Sequence, residues 1–250
     1  MELDAYLAVI ASEAARMVAV ADEAGLDAKT PTCPTWNIRK LILHTGEVHR
    51  WATAVVAGKY TSLAKVPKDT LGKLPTDAKT VEWFRDGVVA LIHALATADD
   101  SVEYDMFLRE PRMSRLMIWA RRQAMELCIH RVDAESAVGR CTAIPPKVAS
   151  EGIDEFLCAF ITRGKGAVHR DTPQTIAFVP SDVDERWTLT ISDGPLVTER
   201  TARKADCTVK GSASDTFMAL WNRPALDDSA VKGDASLFTD LGANVRIRWS

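Results

Sequence analysis

The hydrophobic period of this chain changes once, near Gly164-Lys-Gly166, and that change limits the folds open to it. Before it, apolar residues recur three and four positions apart, the spacing of one face of an α-helix. After it, short β-branched stretches alternate, as half-buried strands do. A chain of 250 residues, 47% of them hydrophobic, suits one large domain or two modest ones with real cores. The pattern therefore reads as α+β: a helical bundle over residues 1–165, then a small α+β domain over residues 166–250. No internal repeat is visible.

Within the first part, Leu3, Leu7, Ile10, Ala14, Met17 and Ala21 mark a first helix, ended by Gly25. Two prolines make Thr30-Pro-Thr-Cys-Pro-Thr35 a rigid connector, since each fixes φ and removes a donor. Thr35 is the expected N-cap of a second helix running from Trp36 to about Ala57. Residues 59–79 read as a long loop, followed by a third helix over about 80–98. A fourth helix is expected from Pro111 or Arg112 to Val138, closed by Gly139. A fifth follows the Pro145-Pro146 break, from about Val148 to Arg163. Four long helices with a fifth appended suggest an up-and-down bundle. In the second part, strands are expected at 175–179, 186–191, 196–200 and 207–210, with Ser192-Asp-Gly194 supplying a turn. A short helix from Ser214 to Asn222, capped by Ser212 or Ser214, and a last helix near Ser236 complete it.

A net charge of -3 and a pI near 6.0 give no electrostatic reason to expect nucleic acid or an anionic membrane. The start, Met1-Glu-Leu-Asp4, is acidic where an export signal would be basic. The longest weakly polar run, residues 87–98, is far short of the roughly 20 residues that span a bilayer. Five cysteines, an odd number with no CxxC pair, fit a reducing cytoplasm rather than a disulfide framework. These features favour a cytoplasmic protein; nothing in the pattern sets an oligomeric state.

Chemistry is concentrated in two helices. Glu126 and His130 lie one turn apart, and at 100° per residue Gln123, Asp133 and Arg122 share their narrow stripe. Such a stripe is commonly the solvated face of an otherwise buried helix. His44 lies on an apolar face of the second helix with Leu41, Val48, Trp51 and Val55, where a histidine is commonly a satisfied core residue. If the two helices pack together, His44, Glu126 and His130 form an open site with good zinc ligands. Asp133 and Gln123 are placed to hold the second imidazole nitrogens. His49 lies about 140° around the helix from His44 and is not expected to share an ion with it. His93 and His169 have no partners at ligand spacing and read as structural or surface residues.

The segment from Pro31 to Trp51, with Cys33-Pro34-Thr-Trp36, Leu41-Ile-Leu-His44 and His49-Arg-Trp51, resembles the first signature of the mycothiol-dependent maleylpyruvate isomerase family. Glu126-Leu-Cys-Ile-His130-Arg-Val-Asp133-Ala-Glu135 resembles its second signature, Glu-x-x-x-His-Arg-x-Asp-Ala. Residues from Val209 to Arg223, and Val231-Lys-Gly233-Asp234-Ala, are similar to its C-terminal domain. The resemblance implies a DinB-like metal-binding bundle followed by a sterol-carrier-protein-like domain. It implies a divalent metal, usually zinc, on His44, Glu126 and His130, and mycothiol as a thiol cofactor whose sulfur takes the open position. A thiolate there would attack a small electrophile, leaving again in an isomerase and remaining in an S-transferase. It also implies an arginine from the C-terminal domain, matched by Arg223, which would grip a carboxylate substrate; Arg246 and Arg248 compete for that role. Arg223 equally reads as the cation that caps the end of its short helix. Two other functions fit the same residues. One is a hydrolase using metal-activated water on thiol conjugates or amides. The other is a non-enzymatic ligand-binding or regulatory protein with a structural bundle.

Overall fold

A computed structural model describes residues 1–67, 69–163, 168–224 and 226–245. Among the described residues the fold is α+β, with seven α-helices along the chain and a five-stranded sheet in its C-terminal part. The chain divides into two compact units, Met1–Thr142 and Ala143–Ser250. The expected boundary at 165/166 falls outside the described residues, and the helix before it belongs to the second unit. Among the described residues, no helix is long and apolar enough to cross a membrane.

The first unit holds α1 (Leu3–Ala24), α2 (Ile38–Ala57), α3 (Thr80–Ala96) and α4 (Arg115–Ser136). Gly25, at φ 78°, ends α1 as its sequence position suggests. The cap of α2 is Asn37, whose side chain accepts from the Lys40 amide at 3.0 Å, in place of Thr35. The Lys29–Asn37 bridge holds the Asn37 backbone extended, so the helix starts one or two residues later than expected. Ser114 caps α4 through the Met117 amide, which moves that helix start past Pro111 and Arg112.

Around the bundle each helix has two neighbours, in the ring order α1, α4, α2, α3. The bundle expected from the helix count is present, and its contacts define the directions. Glu13 meets Arg131 and Glu23 meets Arg140, so α1 and α4 advance together. A side chain on Gly46 would strike Trp83, and one on Gly87 would strike Arg50, so α2 and α3 also advance together. Gly46 leaves the space in which the Trp83 ring lies, with the Arg50 guanidinium stacked 3.6 Å from the ring centre. The order is up, down, down, up rather than the alternating up-and-down order expected, because the long segment between α2 and α3 carries the chain back along the bundle.

In the second unit α5 (Pro146–Glu155) starts with proline in its first turn, two residues before the expected Val148. It continues into a widened turn, Phe156–Phe160, and a tighter one, Ile161–Arg163. α5 packs on α6 (Ala213–Leu220), with Gly152 against the Phe217 ring. Asp154, on α5, accepts from Trp187 Nε1 at 2.9 Å and from Arg200 Nε at 2.6 Å. These ties explain why α5 joins the sheet domain. The sheet comprises β1 (Gln174–Phe178), β2 (Trp187–Ile191), β3 (Val197–Glu199), β4 (Cys207–Val209) and β5 (Val231–Gly233), in the order β3-β2-β1-β4-β5. β1 and β4 are parallel; the other pairs are antiparallel. β5, Val231-Lys-Gly233, adds to the strands expected from sequence, because its lysine and glycine break the β-branched alternation that marks strands. Its Gly233, at φ 82°, sits against the Asp206 carbonyl where no Cβ fits. Ser212, rather than Ser214, caps α6 through the Asp215 amide, and α7 (Ala235–Asn244) follows the Asp234 cap.

Candidate metal centre

The stripe on α4 is not a solvated face. Every residue from Ile118 to Glu135 is buried, including Arg122, Gln123, Glu126, His130 and Asp133. Desolvated polar groups need partners, and here they find them across the bundle. Three pairs record how α4 meets α2: His44 with Glu126 and His130, His49 with Gln123, and Trp51 with Trp119. Residue numbers rise on α2 as they fall on α4, so the two helices run antiparallel.

His44, Glu126 and His130 offer three ligand atoms lying within 4.8 Å of one another. His130 Nε2 is 3.0 Å and His44 Nε2 is 3.3 Å from the same oxygen, Glu126 Oε1. The other oxygen, Oε2, accepts from Arg122 Nη2 at 2.8 Å, an ion pair in which both side chains are 3% exposed. Arg122 thereby holds the carboxylate with Oε1 turned to the imidazoles. Burial favours a neutral carboxyl, but the charge and hydrogen bond of His130, the His44 bond and Arg122 keep Glu126 well below the usual carboxylate range. Burial also works against a charged imidazole at His130, yet Glu126 and Asp133 outweigh it and push its pKa up to about 9. In the metal-free protein a proton thus sits where a metal would be bound.

Asp133 Oδ2 lies 3.0 Å from His130 Nδ1 and accepts its hydrogen, which leaves Nε2 as the ligand nitrogen. Thr32, from the proline-rich connector, donates to the other oxygen, Asp133 Oδ1, at 2.7 Å. Trp36 ends the connector over the imidazoles, edge-on to His44 at 4.8 Å and stacked on His130 at 5.8 Å between ring centres. The sequence marks this segment as a rigid connector and Trp36 as part of a signature, but carries no sign that Thr32 reaches Asp133 or that Trp36 reaches the imidazoles. A partner 101 positions away leaves no periodic trace.

Gln123 does not hold a ligand histidine. Its Oε1 accepts from His49 Nδ1 at 2.8 Å, and burial drives the His49 pKa down to about 4 despite that bond. His49, fully buried against Phe84, is central in the packing stripe of α2, while His44 lies at the edge with 17% of its side chain exposed. The edge position suits a ligand that a small molecule must reach. His93 and His169 are exposed. Arg223 is half-buried in the second unit, and its Nη1 donates to the Trp221 carbonyl at 2.7 Å, just past the end of α6. Arg246 and Arg248 lie outside the described residues.

The donor set fits a divalent metal. Two ligands at about 2.0–2.1 Å from one tetrahedral ion sit about 3.3–3.4 Å apart, close to the separations between Glu126 Oε1 and the two imidazoles. Two nitrogens and one carboxylate oxygen suit zinc and leave a coordination position open.

The description "Mycothiol maleylpyruvate isomerase N-terminal domain" matches residues 7–135, and the C-terminal domain of the same family matches residues 147–240. The chain belongs to the mycothiol maleylpyruvate isomerase family. The two matches fall on either side of the division between Thr142 and Ala143. Solved structures of the mycothiol-dependent maleylpyruvate isomerase share the fold. A histidine-to-alanine mutant superposes with a TM-score of 0.61 at 11% identity, covering 94% of each chain. A second structure of that enzyme gives 0.56 at 13% identity, covering 87% of this chain and 88% of that one. No curated protein matches the sequence significantly.

Proposed function

We propose that the chain is a metal- and mycothiol-dependent enzyme, a cis–trans isomerase or S-transferase acting on a small electrophile in the reducing cytoplasm. The observation carrying this reading is the convergence of His44, Glu126 and His130 on one point, with Asp133 fixing the His130 tautomer. Family membership supplies the thiol. A zinc ion held by these three residues would lower the pKa of a thiol in its open position, giving a good nucleophile at neutral pH. The protein's own groups prepare the site. Arg122 orients the Glu126 carboxylate, Asp133 orients His130, and Trp36 shields the imidazoles from water. His130 surrenders its Nε2 proton when it becomes a ligand. Arg223 belongs to the proposal as a cation for an anionic substrate, although its bond to the Trp221 carbonyl also suits a helix cap.

The test starts from metal content. Purified protein is expected to hold about one equivalent of zinc, lost in both His44→Ala and Glu126→Ala. Full occupancy in both variants would sink the ligand assignment. The zinc-loaded protein is then assayed with mycothiol and either maleylpyruvate or halogenated aromatics, which separates isomerase from transferase. Turnover with no thiol present would replace this reading by a hydrolase using metal-activated water. Arg223→Ala is expected to raise KM for a carboxylate substrate and leave metal content intact.

A further inference from the structure

Two of the residues that support the metal centre, Thr32 and Trp36, come from a loop outside the ligand helices. We infer that residues 29–37 act as a clasp on the metal centre: Thr32 sets Asp133, Asp133 sets His130, and Trp36 covers both imidazoles, so docking of this segment and metal affinity are coupled. This rests on the metal reading of His44, Glu126 and His130 proposed above.

Three observations carry it. The segment is tied to itself: Thr30 Oγ1 donates to the Cys33 carbonyl at 3.0 Å, the Cys33 amide to the Thr30 carbonyl at 2.9 Å, and the Trp36 amide to the Cys33 carbonyl at 2.9 Å. With Pro31 and Pro34 each fixing a φ angle, these bonds hold the segment together as one piece. Next, the Thr32 to Asp133 hydrogen bond of 2.7 Å reaches a fully buried carboxylate whose other oxygen faces His130. A carboxylate held at both oxygens cannot swing, and the imidazole it carries is held at the correct azimuth. Without the Thr32 hydroxyl, Oδ1 loses a buried donor and the carboxylate is held less firmly. Third, Trp36 touches both imidazoles, 4.8 Å from the His44 ring and 5.8 Å from the His130 ring. A change at the ligands is therefore felt by the indole, and lifting the indole uncovers the ligands. By linkage, whatever tightens metal binding through the clasp must also tighten the clasp when metal binds.

The experiment compares wild type, Thr32→Val, Thr32→Ser and Trp36→Phe, each stripped by chelator and titrated with zinc against a competing chelator. Thr32→Val is nearly isosteric at a half-buried position and removes the hydroxyl alone. It is expected to weaken zinc by about 10- to 100-fold, the usual effect of losing a group that braces a ligand. Thr32→Ser, which restores the donor, is expected to recover most of that affinity. In wild type, zinc should also change tryptophan fluorescence by an amount missing in Trp36→Phe, and slow hydrogen exchange at the Cys33 and Trp36 amides. A Thr32→Val protein that binds zinc as wild type does, with a lower melting temperature equally with and without zinc, would make the contact purely structural and overturn the clasp. So would unchanged exchange at those amides in zinc-loaded wild type. Failure of wild type to bind zinc at all overturns the metal reading itself and is seen before any variant is compared.

Discussion

Helix α4 buries two groups of charge on nearly opposite sides, and their chemistry differs. Towards α1, Arg131 Nε donates to Glu13 Oε2 at 2.6 Å, and its Nη1 to Glu135 Oε2 at 2.9 Å and the Thr142 carbonyl at 2.6 Å. Towards α2, Glu126 faces two imidazoles and one guanidinium. Burial is alike on the two sides. What differs is the exchangeable proton. Arginine stays charged at any physiological pH, so the Arg131 group is a fixed ion pair that joins two helices. The imidazoles can trade a proton for a metal, so the Glu126 group has a second state to adopt. Burial of charge on a helix therefore does not by itself mark a site; titratable donors sharing one oxygen do.

The largest effect is expected from breaking the fixed pair. Arg131→Met removes the buried guanidinium that the Glu13 and Glu135 carboxylates share and should lose about 3–5 kcal/mol of stability in denaturant titration. Zinc bound per folded molecule should not change. Loss of zinc from a folded Arg131→Met protein would mean that the two faces are not independent. Replacing Glu13, Arg131 and Glu135 together by apolar residues should restore much of the stability, because no unpaired charge remains.

The second effect concerns protons on the other face. His130 is held charged, with its pKa pushed up to about 9 from an ordinary 6.5. Zinc binding must remove that proton, so affinity should fall about tenfold for each pH unit below about 9. Calorimetry at pH 7.5 in buffers of different ionisation enthalpy should show proton release. Stability of the metal-free fold runs with the opposite sign. The contribution of charged His130 is complete below about 6.5 and fades as pH rises through about 9. Zinc affinity that is flat from pH 7 to pH 8.5 would show that the His130 proton is not what the metal displaces.

The face that sequence made legible was the one with local spacing. Glu126 and His130 are one turn apart and His44 lies on a short run of apolar periodicity, so helix geometry offered the trio and the resemblance to the two family signatures singled it out. Arg131 lies beside them, but its partner Glu13 is 118 residues away, and helical periodicity carries no information about such a pair. Thr32 stayed hidden for the same reason. The buried character of the stripe was also out of reach, since a polar face toward another helix and one toward water have the same period. The fate of α5 shows this limit for the fold. Its amphipathic pattern announced a helix, but which core it joins depends on Asp154 meeting Trp187 and Arg200, contacts that no local window contains.

The smallest effect tests whether burial, rather than pairing, gives the α1 face its strength. Arg140 donates to both oxygens of Glu23, at 2.8 and 3.1 Å, and joins the same two regions as Arg131 and Glu13. Its shorter contact is comparable to those of the buried pairs, yet both side chains are about half exposed. Water solvates each ion nearly as well when they part, and holding two long side chains together costs rotamer freedom. Arg140→Ala should therefore leave the denaturation midpoint close to wild type, in contrast to Arg131→Met, and leave zinc affinity untouched. Should the two variants prove equally destabilising, the value of the α1 face would lie in joining α1 to the end of α4 by charge at any depth. A small loss at Arg140 beside a large one at Arg131 assigns that value to the desolvated carboxylates that Arg131 pairs with inside the core.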